Sequence, residues 1–289
     1  MIKNFNNLKE SGIRYGGHAG NKLGVVIDGE NWFLKFPKST KDLLRKVDIS
    51  YNTSPLSEYI GSHIYKSLGI PVHETMLGIK DEKLVVACKD FRKNQIDYRL
   101  DDYNSIKNDY VEGLEKKLES TSSSNPHAIN IDETIIIMNN NPLFNRVAGL
   151  KDRFWDMFIV DALIGNNDRN NGNWGVIVDN RTNETKIAPV FDNGASFNTK
   201  SSDENIEKIL SDKERFKNSA YLSRICAFSI NDKIINPFKY IESLENDECN
   251  KALLRIVPKI DLSKIYDIIN EIPNEYEGIK VISDIRKKY

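Results

Sequence analysis

The strongest constraint on the fold is a change of period. In the first ninety residues, two pairs of β-prone runs flank one amphipathic stretch, and beyond Phe91 the apolar positions follow a helical spacing. Leu23 to Ile27 and Asn31 to Phe36 are joined by Asp28-Gly29-Glu30, and Met76 to Ile79 and Lys83 to Cys88 by Lys80-Asp81-Glu82, so both pairs are expected to be hairpins. Between them Ile60, Ile64 and Leu68 recur every fourth residue. This predicts a helix over Pro55 to Leu68, capped by Thr53 or Ser54 and stopped by Gly69 and Pro71.

Further on, Phe154, Trp155, Phe158, Ile159, Ala162 and Leu163 form a broad helical stripe. Trp174 to Val178 and Lys186 to Phe191 read as a third hairpin. Ile206 to Phe216, Pro237 to Leu244, Lys251 to Val257, Leu262 to Ile272 (opened by Asp261) and Glu277 to Arg286 are expected helices, and Ser122 to Pro126 a polar loop. No internal repeat or long linker is present. The expected class is α+β: a small β-rich lobe over 1–90 and a larger, mainly helical lobe over 91–289.

Composition removes several functions. The 41 basic and 42 acidic residues leave a net charge of -1, which gives no global field for nucleic acid or anionic membrane. Cys88, Cys226 and Cys249 have neither the spacing of a metal site nor the density of a disulfide framework, so they read as reduced thiols. No segment approaches the roughly 20 apolar residues of a membrane span, and the first ten residues carry charge where a signal peptide needs an apolar core. A cytoplasmic location is expected, with delivery to another cell by a route lacking a cleavable signal left open.

Asp168 and Asn173 stand five apart in an asparagine-rich stretch, and Asp192 follows an apolar strand at the head of Asp192-Asn193-Gly194. Phosphoryl transfer asks for this order: an aspartate for the acceptor hydroxyl, an asparagine on one metal ion, and an aspartate bridging metal and phosphates. Asp and Asn supply the hard oxygens that Mg²⁺ takes. The spacing alone is weak, because both residues crowd turns for local hydrogen bonding.

Upstream, Ser11 to Lys22 holds Gly12, Gly16, Gly17 and Gly20 before a strand. There backbone amides of Gly16 and Gly17 could approach phosphates, with Lys22 adding charge. Lys35 is a cation inside the apolar run Trp32 to Phe36, on the face of Phe33. Glu58, in the early helix, is its natural partner, a dipole-compensating role being the alternative. His18, His63, His73 and His127 are scattered without zinc-site spacing.

Taken together, FLKFP, DALIGNNDRNNGN and APVFDNGASF resemble the catalytic signatures of HipA-like serine/threonine kinases, and the chain is similar to the stand-alone HipA-C type. The resemblance spans the chain from Gly12 to the last helices. It implies a two-lobed protein-kinase-like fold that uses ATP and Mg²⁺. It also implies that Lys35 is the phosphate-binding lysine with Glu58 its helix partner, Asp168 the catalytic aspartate, and Asn173 and Asp192 the metal ligands. Ala87, Cys88 and Lys89 are expected to meet adenine through their backbone. The family's D-x-H is here Asp168-Arg169-Asn170. HipA also carries an extra N-terminal subdomain and binds an antitoxin, whereas this chain begins almost at the glycine-rich loop, which leaves an antitoxin-type partner undecided.

The implied activity is ATP-dependent transfer of phosphate to serine or threonine of a protein substrate, including the chain itself. A kinase for small molecules or lipid headgroups, and a nucleotide-binding pseudokinase or regulator, are the alternatives. DNA binding is the least expected.

Overall fold

The computed structural model describes residues 2–16, 22–37, 53–109, 111–118 and 128–289. They gather into two compact units, one of Met1–Phe91, Asn193–Leu222 and Asp261–Tyr289, the other of Arg92–Asp192 and Ser223–Ile260. This grouping differs from a single division near residue 90, because two later segments return to the first unit.

The first unit begins with β1 (Lys3–Asn4), β2 (Lys9–Glu10), β3 (Lys22–Ile27), β4 (Glu30–Lys35), helix α1 (Ser54–Ser67), β5 (Thr75–Lys80) and β6 (Lys83–Lys89). The strands form one sheet in the order β1-β5-β6-β4-β3-β2. Both expected hairpins are present, pairing Ile27 with Glu30 and Lys80 with Lys83. Their two-residue turns need left-handed backbone, taken by Asp28 and Gly29 in one and by Asp81 and Glu82 in the other. On one face Val25, Trp32, Leu34, Val85 and Ala87 close a core with Phe5. Gly78 makes room for it: a Cβ there would lie 2.2 Å from the Phe5 ring.

α1 buries Leu56, Ile60, Ile64 and Tyr65, as its period requires. Thr53 holds the cap position without capping, its hydroxyl donating instead to Thr199 O at 3.3 Å. The end is a Schellman turn at Gly69, with Ile70 N on Tyr65 O and Gly69 N on Lys66 O.

The second unit starts with β7 (Tyr98–Asp102), α2 (Tyr103–Lys107), α3 (Leu114–Leu118), β8 (Ile129–Asn130), α4 (Ile131–Asn140), α5 (Leu150–Ile164), β9 (Gly175–Asp179) and β10 (Thr185–Ile187). β10 is shorter than the expected run to Phe191, since Pro189 has no amide proton for the ladder. β7 adds a strand that sequence did not suggest, giving the order β10-β9-β7. α5 is buried almost all round, its Phe154 and Phe158 meeting Phe228 edge-on. Leu163, expected in that stripe, is 38% exposed.

The remaining elements are α6 (Asp203–Leu210), α7 (Lys213–Lys217), β11 (Phe228–Ile230), β12 (Lys233–Ile234), α8 (Pro237–Ser243), α9 (Asp247–Ile256), α10 (Leu262–Asn270), β13 (Glu275–Tyr276), β14 (Ile279–Lys280) and α11 (Asp284–Lys288). The helix expected over Ile206 to Phe216 is two, because the Asp212 carboxylate accepts from Glu214 N and Arg215 N and starts α7 afresh. Asp261 caps α10 as anticipated. The helix expected over Glu277 to Arg286 is instead a hairpin, turned by Glu277 and Gly278 at positive φ, followed by the short α11. Ser122 to Pro126 lies outside the described residues.

Candidate active site

In the first unit, the site is organised around a carboxylate removed from water. Glu58 on α1 is 0% exposed and ion-paired by Lys35, whose Nζ at the end of β4 lies 2.7 Å from Oε2. Its Oε1 accepts from His73 Nε2 at 2.8 Å and from Asn193 N at 3.0 Å. A carboxylate only accepts, so His73 must carry its proton on Nε2. Burial by itself pushes the Glu58 carboxyl up, but the Lys35 charge and the His73 contact outweigh it, and the pKa falls well below the usual carboxylate range. Glu58 is therefore ionised and triply held. Cys88 completes a group whose ligand-type atoms lie within 4.8 Å of one another, but the Glu58 oxygens in it are engaged by hydrogen bonds.

The Lys35–Glu58 pairing expected from sequence is thus present, whereas His73 and Asn193 were not anticipated as partners. Asn193 is buried, and its Nδ2 donates to Ser62 Oγ at 3.1 Å, so the residues after Asp192 are seated on α1. Ser57 Oγ adds a bond to Ser196 O at 2.9 Å.

The glycine-rich segment joins β2 to the antiparallel β3. Lys22 Nζ donates to Gly16 O at 2.6 Å and lies 5.7 Å from the Phe33 ring centre, so it closes the base of this loop. Gly17 lies outside the described residues. Ala87 and Cys88 sit within β6, which β4 and β5 flank, and Lys89 N donates to Glu74 O at 2.9 Å. The sheet thus engages the Ala87 and Cys88 backbone and the Lys89 amide.

In the second unit, α5 ends at Gly165, left-handed with φ +64, and the chain enters the loop of residues 166–173. Asn166 Oδ1 accepts from Asp168 N at 3.1 Å, and Asn170 Oδ1 from Gly172 N at 2.9 Å. These side chains shape the loop, as Asn residues do in turns. Asn173 Nδ2 donates to Asp168 O at 2.8 Å, leaving its Oδ1 without a hydrogen bond among the described residues. The Asp168 carboxylate meets only Asn170 Nδ2 there, at 3.5 Å. Asp192 has φ 61, a left-handed conformation that costs a non-glycine residue about 1–2 kcal/mol.

Arg169 joins these parts. It is 0% exposed, and its guanidinium grips the Asp161 carboxylate at 2.8 and 3.1 Å. It also donates to Asn173 O at 3.0 Å and to the carbonyl of Phe191, the residue before Asp192. One side chain therefore ties α5, the far end of the loop and the approach to Asp192 into a single arrangement within the unit. The Asp161–Arg169 pair was not anticipated from sequence. The available signal was Asp161, a charge inside the apolar stripe of α5, the same anomaly that singled out Lys35.

No protein-family model matches the chain. The serine/threonine-protein kinase CtkA of Helicobacter pylori is 37% identical over 276 residues, covering 95% of this chain and 78% of that protein. The crystal structure of an H. pylori proinflammatory kinase CtkA superimposes with a TM-score of 0.85 and 32% identity, covering 100% of this chain and 90% of that one. HipA of Shewanella oneidensis, solved with HipB and operator DNA, shares the fold with a TM-score of 0.52 at 14% identity, over 93% of this chain and 63% of its own. The kinase-like architecture expected from the signatures is present, and the chain belongs to the family of the serine/threonine-protein kinase CtkA.

Proposed function

We propose that this kinase transfers the γ-phosphoryl group of ATP, with Mg²⁺, to serine or threonine hydroxyls of proteins, its own included, and that Asp168, Asn173, Asp192 and Lys35 carry the reaction. One observation supports the assignment most directly: the Arg169 guanidinium bonds both the loop of Asp168 and Asn173 and the carbonyl preceding Asp192. An idle polar turn has no need of a buried cation that sets these residues as one group.

Asp168 keeps a carboxylate almost free of internal bonds, suited to orienting an acceptor hydroxyl and receiving its proton. The donor set fits a hard divalent cation. Asn173 offers an uncommitted amide oxygen and Asp192 a carboxylate, the oxygens that Mg²⁺ takes together with substrate phosphates. Bound there, Mg²⁺ would supply neutralisation of charge on the transferring group. Lys35 holds phosphate oxygens, and Glu58 keeps its ammonium placed. Phosphate binding is assigned to Gly16, Gly17 and Lys22 as well. With the Ala87 and Cys88 backbone and the Lys89 amide in the ladders, adenine contact within Ala87 to Lys89 falls to the Lys89 carbonyl.

The acceptor is a polypeptide, and among the described residues no helix is long and apolar enough to cross a membrane. Mass spectrometry of the purified chain after incubation with ATP, Mg²⁺ and a generic protein substrate tests the reading. Phosphoserine or phosphothreonine is expected, falling by roughly 10²–10⁴-fold in Asp168→Ala and also lost in Asp192→Ala. Undiminished transfer by either variant would overturn the assignment. Phosphate on added small molecules alone would restore the small-molecule alternative.

A further inference from the structure

Arg224 is seated against Gly165, three residues before the proposed acceptor aspartate, with its Nε unpaired among the described residues. Its guanidinium lies on Gly165, with Nη2 and Cζ 1.5 and 2.1 Å from the place a Cβ would occupy. Glycine is thus needed at 165 for the seat as well as for its φ of +64. Nε is buried with no hydrogen-bond partner, and among the described residues no carboxylate pairs with the group. Elsewhere in the same unit Arg169, Arg181 and Arg255 are each matched to aspartates. The negative end of the α5 dipole makes the position tolerable to a cation, but supplies none of the parallel acceptors that a guanidinium takes from an oxyanion. Beside it in the chain Ile225 is 60% exposed, and Leu163, two residues before Gly165, is 38% exposed. Gly165, against which the guanidinium lies, is three residues ahead of Asp168.

We propose that Arg224 binds a side-chain carboxylate of the acceptor polypeptide, with Leu163 and Ile225 giving apolar contact, so that the enzyme prefers hydroxyls with an aspartate or glutamate nearby. Apolar flanks suit a polypeptide better than a nucleotide, and the planar fork suits a carboxylate. This inference rests on Asp168 being the residue that meets the acceptor.

The test uses synthetic peptides with one serine in an alanine-rich background, each carrying a single Asp at successive positions around it. With ATP and Mg²⁺, the intact protein should favour at least one Asp peptide over the all-Ala peptide by about tenfold in kcat/KM, the range expected of a charge-assisted bond. In Arg224→Gln that ratio should collapse to about one, and in Arg224→Lys it should fall part of the way. Arg224→Lys carries the same comparison should the Gln variant fail to fold. The inference is overturned if the intact protein shows no Asp preference, if Arg224→Gln keeps it, or if the loss falls equally on both peptides with a raised KM for ATP. Asp168→Ala, expected to lose roughly 10²–10⁴-fold on every peptide alike, checks the underlying assignment separately.

Discussion

Replacing Arg169 with methionine gives the sharpest test of how the second unit is held together. The substitution keeps an unbranched stem and removes every N–H of a side chain that is 0% exposed. Asp161 loses its countercharge at 2.8 Å, and the carbonyls of Asn173 and Phe191 lose a donor. Breaking a buried pair from one side costs about 3–5 kcal/mol, because the other charge stays behind. For a unit of this size that corresponds to a fall of roughly 10–20 °C in Tm. Adding Asp161→Leu removes the stranded carboxylate, and the double variant should regain about 1–3 kcal/mol relative to Arg169→Met. Activity should behave differently. The bonds to Asn173 O and Phe191 O are absent in both variants, so phosphoryl transfer should stay low even where stability returns. Thermal and urea unfolding followed by emission of the buried Trp155 and Trp174 report the first quantity, and labelled-ATP transfer well below the melting points the second. Two results would refute the reasoning: Arg169→Met melting within about 2 °C of the parent, or the double variant recovering transfer along with stability.

Glu58 makes a pH-dependent contribution whose sign follows from its depressed pKa. Its stabilisation is complete above the ordinary carboxyl range and is lost as pH falls below it toward the native-state value. Glu58→Gln should destabilise the chain by about 3 kcal/mol at neutral pH and flatten the acid limb of Tm between pH 5 and pH 3; an unchanged limb would contradict this. Burial pushes the Cys226 and Cys249 thiols up to about 12, so at pH 8 almost no thiolate is available for attack. Both should resist a disulfide reagent in the native protein and react promptly in urea. Rapid labelling of the native chain at either residue would show the packing to be wrong.

The strands β3 to β6 and helix α1 were legible because each is a local decision. The β-prone run Leu23 to Ile27, turn residues at Asp28-Gly29, and the four-residue period stopped at Gly69 act over a few positions, and the chain folds there as written. The errors came where one residue reversed a local trend: Asp212 recapping a helix, Pro189 ending a strand, Glu277-Gly278 turning a hairpin. The site divides in the same way. Sequence by itself determined the order Lys35, Glu58, Asp168, Asn173, Asp192, since residue type and spacing limit which chemistry a loop can hold. Only the tertiary structure decided what fixes them. His73 and Asn193 reach Glu58 from 15 and 135 residues away, and Arg169 spans from Asp161 to Phe191. A buried charge must find partners wherever the fold brings them, and no spacing rule encodes that choice.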